Sequence, residues 1–196
     1  MENSILSLLS KEERQLVEIK QFKKDDVIFR EKENCQSISI IIKGYVDIVS
    51  YSFSGKEIVF NSLAKNQIFG NNLLFSSEPF YKGDVISRND STIVFINKEN
   101  LIKILSTNTD FLKEYLRVQS DFGKNLNNRI KLLSYDSAHE RLDFYLFTNG
   151  NTITFKSISS LAVLLNLKRE TLSRLVSKLE KENVIRRSHH SITKIN

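Results

Sequence analysis

The segment Leu167-Lys168-Arg169-Glu170-Thr171-Leu172-Ser173-Arg174-Leu175-Val176-Ser177-Lys178-Leu179 holds the side chains of this sequence best suited to reading a ligand. Leu172, Leu175, Val176 and Leu179 recur at i, i+3, i+4 and i+7, which predicts one buried face of a helix. The opposite face then carries Arg169, Glu170, Ser173, Arg174, Ser177 and Lys178. A guanidinium can donate two bonds to guanine O6 and N7. A carboxylate can accept from the cytosine amino group, and a hydroxyl can do either. An ordinary solvated helix face has the same composition, so the flanking segments decide.

Ser157 to Leu165 reads as a second, shorter helix, with Ile158, Leu161, Ala162 and Leu165 on one side and Ser157 as its N-cap. Asn166, which tolerates a left-handed backbone, makes the break before the next helix. Helix, tight turn and a second helix with a polar outer face form a helix-turn-helix unit. Val184 to Arg187 and Ser191 to Ile195 read as two strands around His189-His190, a wing. Arg186, Arg187 and Thr171 are expected to meet phosphate, with Lys178 further along the reading helix. Ala138 to Phe147 supplies a preceding helix and Thr152 to Phe155 a strand.

Charge supports a polyanion as partner. From Asp136 to the end there are ten cations against six anions, a net +4, whereas the first 135 residues carry 19 against 17. Catalysis finds no support. Cys35 is the sole cysteine, and the three histidines (His139, His189, His190) show no metal-ligand spacing. No catalytic residues, metal or cofactor are expected. Met1-Glu2-Asn3-Ser4 lacks the basic start of an export signal and no apolar run is long enough for a membrane span, so a cytoplasmic protein is the expectation.

Leu161-Ala162 followed by Arg169-Glu170-Thr171-Leu172-Ser173-Arg174 resembles the Crp/Fnr family of bacterial transcription regulators. Upstream, Asp26 to Phe29, Lys43-Gly44-Tyr45-Val46, Gly55, Phe69-Gly70, Leu73-Leu74 and Asp90 to Ile96 resemble that family's cyclic-nucleotide-type β-roll. The pattern between Phe22 and Ile96 is independently one of short β-branched and aromatic strands: Val27–Phe29, Ile38–Ile42, Tyr45–Tyr51 and Glu57–Leu63. Glycine turns separate them. The effector pocket implied by the resemblance involves Gly70, Asn71, Asn72, Tyr81 and Lys82. Cyclic-nucleotide-binding members place a glutamate where Asn71 stands and an arginine where Tyr81 stands, so cyclic AMP is not the expected ligand. Cys35 reads as a passive residue beside a roll strand.

Residues 4–20 read as helical, opened by a capping box at Ser10-Lys11-Glu12-Glu13. Lys98 to Leu105 is a brief helix. After it, Phe111, Tyr115, Val118, Phe122, Leu126, Ile130 and Leu133 form one helical apolar stripe. In the place of the family's dimerisation helix, this implies a dimer seam of Tyr115, Val118, Phe122, Leu126 and Ile130. Ser134-Tyr135-Asp136 reads as a hinge.

The expected fold is α+β: an N-terminal antiparallel, jelly-roll-like β-roll (1–108), a long dimerisation helix and hinge (109–135), and a C-terminal winged helix-turn-helix (136–196). The resemblance implies a homodimer, a palindromic double-stranded DNA operator with half-sites like the TTGAT of Fnr-type members, RNA polymerase as a partner, and an unidentified signal at the roll. Two other readings stay open: a constitutive regulator with a ligand-free roll, and a roll-based carrier or enzyme.

Overall fold

The computed structural model describes residues 5–195, so Met1 to Ser4, on which the export-signal expectation rests, lie outside the described residues. The chain divides into two compact units, Met1–Ser120 and Asp121–Asn196.

The first unit is built from two antiparallel four-stranded sheets. One has the order β1-β8-β3-β6 and the other β2-β7-β4-β5. The strands are β1 (Glu18–Phe22), β2 (Val27–Phe29), β3 (Ser37–Lys43), β4 (Tyr45–Tyr51), β5 (Glu57–Ala64), β6 (Ile68–Phe69), β7 (Asp84–Ser87) and β8 (Ser91–Asn97). β3 is buried on both faces: Ile38, Ser39, Ile40 and Ile41 are all inaccessible. Its sequence accordingly places isoleucine on both faces, at Ile38 and Ile40 on one and at Ile41 on the other beside the small Ser39. Leu101 and Ile104 of α1 (Lys98–Thr107) and Ile5, Leu6 and Leu9 join the same core. Asn97 caps α1 by accepting from the Asn100 amide at 2.8 Å. β3 turns into β4 at Gly44, whose φ of +85° and close approach to Ser91 exclude any side chain.

The N-terminal helix expected over 4–20 is not present. Two 3-10 turns, Ile5–Leu8 and Glu13–Leu16, precede β1, which pairs with β8 from Glu18 onward. The capping box at Ser10 does form: Ser10 N donates to the Glu13 carboxylate and Glu13 N to Ser10 Oγ. It closes a short turn instead of starting a helix, because Glu18 to Phe22 gain a full strand ladder.

α2 (Thr109–Ser134) runs from one unit into the other. The second unit holds its latter half, then α3 (Ala138–Asn149), β9 (Thr152–Thr154), α4 (Ile158–Leu164), α5 (Arg169–Lys181), β10 (Ile185–Ser188) and β11 (Ser191–Lys194). Its sheet has the order β10-β11-β9. Ser137 and Glu140 form a capping box that fixes the start of α3. One core collects Leu132, Leu142, Leu146, Ile153, Phe155 and Ile192 with the inner faces of α4 and α5. The described helices contain none long and apolar enough to cross a membrane.

Candidate nucleic-acid interface

α5 divides cleanly by side. Leu172, Val176 and Leu179 are buried, each worth about 1.5–3 kcal/mol of burial. Arg169, Glu170, Thr171, Arg174 and Lys178 are exposed and Ser173 is half-exposed. Lys178 lies 3.9 Å from Glu182, a loose surface contact that leaves it available to a polyanion. The predicted reading residues thus share one open face. Lys168, the N-cap, makes no side-chain cap bond.

α4 begins on a reciprocal Ser157–Ser160 box and buries Leu161 and Ala162. Asn166 has φ of +52°, the left-handed turn residue that the sequence implies. α4, this turn and α5 make the helix-turn-helix, and β10 and β11 pair as its wing with Ser188 opposite Ser191. The wing joins β9 through β11, and Lys194 Nζ meets Asp143 of α3 at 2.9 Å. Arg186 and Arg187 are exposed neighbours on β10, so the pleat sends them to opposite faces. Arg187 pairs with Ile192 and Arg186 with Thr193.

Of the implied effector pocket, Gly70 lies against the Tyr81 hydroxyl and Asn71 is buried, whereas Asn72 and Lys82 are exposed. Gly70 (φ +78°) sits so close to the Ser37 carbonyl and the Cys35 sulfur that no Cβ fits. Asn71 is buried and donates to Gln119 Oε1 of α2 at 2.5 Å. Gln119 Nε2 returns bonds to the Asn71 carbonyl (2.9 Å) and to the Tyr115 hydroxyl (3.1 Å). Tyr81 is buried with its ring stacked on Phe29, centroids 4.3 Å apart, while Phe69 and Phe95 meet Phe29 edge-on. Its hydroxyl lies beside Cys35 and Ser39, but neither it nor Ser39 Oγ makes a hydrogen bond of ordinary length and angle. Burial, above all, pushes the Tyr81 phenol and the Cys35 thiol upward. Asn72 and Lys82 face solvent, Lys82 pairing with Glu78 at 3.4 Å. Tyr81 is bonded through its backbone to Lys32 and Glu33, and the chain bends at Lys82, which is exposed while Tyr81 is buried. The pairing of Lys82 with Tyr81 in one pocket is corrected accordingly.

α2 also requires a correction. Tyr115, like Phe111, is buried in the first unit's core, so it has no surface to give to a dimer seam. The helix spends Phe111 and Tyr115 on that core and Leu132 on the second. Val118 is half-buried, and Phe122, Leu126, Ile130 and Leu133 remain exposed on one stripe. Gly123 has open space where a Cβ would stand, so it marks no close approach within the chain.

Several residues that the sequence reading passed over are Gln119 and two arginines, Arg129 and Arg141, whose partners lie on other elements. Among the described residues no group of histidine, cysteine and carboxylate side chains could hold a metal ion.

Residues 19–108 match the family model described as the cyclic nucleotide-binding domain. An anaerobic regulatory protein from Bacillus subtilis (strain 168) is 23% identical over 177 residues, spanning 85% of this chain and 74% of that protein. A CooA mutant from Carboxydothermus hydrogenoformans superposes with a TM-score of 0.72 at 16% identity, covering 100% of this chain and 93% of that one. The catabolite activator protein of Thermus thermophilus gives 0.55 at 18% identity, with 97% and 93% covered. The architecture is thus a cyclic-nucleotide-type roll, a long helix and a winged helix-turn-helix in one chain. Residues 19–108 thus carry the cyclic nucleotide-binding domain, and in fold and order of parts the whole chain is similar to these solved structures.

Proposed function

We propose that this protein is a homodimeric, sequence-specific DNA-binding regulator of transcription. The observation that carries the reading is α5: Arg169, Glu170, Ser173 and Arg174 stand outward on a helix whose other face is locked into a core. Arg174 donates two bonds to a guanine, Glu170 accepts from a cytosine amino group, and Ser173 faces a thymine or an adjacent base. Arg169 and Thr171 flank that contact. Arg186, Arg187 and Lys178 bond phosphate, which positions the protein without specifying sequence.

The exposed stripe Phe122-Leu126-Ile130-Leu133 is covered by its counterpart in a second copy, with Val118 at its edge. Two reading helices related by a two-fold axis recognise a palindromic operator with half-sites like TTGAT. Such a protein works in the cytoplasm, with RNA polymerase as its partner on DNA. The names of the Bacillus subtilis relative, a regulatory protein, and of the Thermus thermophilus structure, a catabolite activator, support the reading, as does the +4 charge of residues 136–196.

The signal at the roll is not cyclic AMP. Asn71 is engaged by Gln119, and Tyr81, which the family resemblance puts where the phosphate-binding arginine stands, is an aromatic ring stacked on Phe29. A phosphate monoanion buried there would lack its bidentate partner. The aromatic filling favours a second reading, in which the roll is a ligand-free scaffold and the regulator is active as made. Selection of binding sites from random duplex DNA tests the main proposal. A two-fold symmetric, guanine-containing motif is expected, and an unsymmetric or absent motif would overturn it.

A further inference from the structure

The turn of the helix-turn-helix is fastened by two arginines that come from elsewhere in the second unit. α4 ends in a Schellman motif: Leu167 N donates to the Ala162 carbonyl at 2.8 Å and Asn166 N to the Val163 carbonyl at 3.1 Å. The Leu161 carbonyl is taken by Leu165 N at 2.9 Å. The next three carbonyls, Leu164, Leu165 and Asn166, project from the negative end of the helix.

Each of those three receives a guanidinium. Arg129 of α2 donates through Nη1 to the Leu164 carbonyl. Arg141 of α3 donates through Nη1 to Asn166 at 2.9 Å and Leu165 at 3.5 Å. The remaining nitrogens of Arg141 reach back to the hinge and the end of α2: Nε to Tyr135 at 2.8 Å, and Nη2 to Leu133 at 3.5 Å. One planar fork thus spans the C-terminus of α2, the hinge and the turn that launches α5 three residues later. A lysine has neither the plane nor the five donors to do this.

We infer that Arg129 and Arg141 are positioning residues, which set the pitch of the reading helix against the long helix without touching DNA. The inference rests on the proposal that α5 reads DNA. A movement of the latter half of α2 is then carried to α5 through the two guanidinium bridges, in addition to the peptide chain at the hinge.

The test uses the full-length protein and the operator recovered by selection. Affinity for operator and for unrelated duplex is measured across a salt series for wild type, Arg141→Gln, Arg141→Lys and Arg129→Gln, with thermal melting of each. The expected result is an operator affinity lowered about tenfold, the scale of losing a charge-assisted hydrogen bond. Unrelated-duplex affinity and the salt slope stay at wild-type values, and Arg141→Lys fails to restore binding. Unchanged operator affinity overturns the inference. So does a parallel fall on both DNAs with a slope reduced by ~1, because that is the signature of a direct phosphate contact. If Arg141→Gln melts below the assay temperature, Arg129→Gln alone decides, since it keeps the Arg141 fork. A wild type that selects no operator strikes the DNA-binding proposal itself, whereas intact wild-type binding with indifferent variants strikes only this inference.

Discussion

Tyr81→Phe is expected to stabilise the roll. The ring is 3% exposed, stacked 4.3 Å from Phe29, and its hydroxyl is enclosed without a hydrogen bond of ordinary length and angle. A buried hydroxyl left unpaired costs ~1–3 kcal/mol relative to its solvated form. Phenylalanine keeps the ring and the stack and removes only that oxygen. The void is far smaller than a methylene side chain would leave, so the net gain is about 1 kcal/mol. Tyr81→Ala, by contrast, deletes the ring and should cost ~3–5 kcal/mol. Urea unfolding followed by circular dichroism measures both. For Tyr81→Phe the midpoint should rise with the slope unchanged. A loss of more than ~1 kcal/mol in Tyr81→Phe would mean that the hydroxyl is engaged, by water or by a ligand inside the roll. The account of a self-filled roll that excludes cyclic AMP would then fail.

Replacing Phe122 and Leu126 together by aspartate places like charges opposite one another across the proposed seam. The variant should sediment as a folded monomer, and a folded dimer would remove α2 as the interface. Arg186→Ala and Arg187→Ala should weaken binding to all sequences alike, with the salt slope falling by ~1 per contact removed. A change of preferred operator in either variant would contradict a phosphate role. The Cys35 thiol, buried and with its pKa pushed up by that burial, should react with a maleimide at neutral pH only after unfolding. Stoichiometric labelling of the native protein would show a reactive, solvent-reached thiol instead.

The winged helix-turn-helix was legible because its signals are local. The apolar spacing of α5, the Ser157 cap and the left-handed Asn166 each act within a few residues, and all three stand as the sequence implies. β1 was misread for the opposite reason. Leu16, Val17 and Ile19 have helical spacing and a capping box before them, yet Glu18 to Phe22 are claimed by β8, far along the chain. β6 and β7, of two and four residues, are too short to show a period. Within α2 the periodicity identified one apolar stripe but not which partner each residue takes, so Tyr115 fell into the chain's own core while Phe122 remained outside. Arg129 and Arg141 counted only as charge in the sequence. Their carbonyl partners exist only once the Schellman turn brings Leu164 to Asn166 beside them.

The central claim, that α5 reads bases through Arg174, is tested most directly by a double-mutant cycle. Wild type and Arg174→Ala are each titrated against the selected operator and against the same operator with its matching guanine replaced. Wild type should lose ~1–3 kcal/mol on the altered site, the scale of a bidentate arginine–guanine contact. Arg174→Ala should bind both sites alike, at the level of wild type on the altered one. A variant that still prefers the guanine as strongly as wild type does would contradict the assignment of this helix as the reader.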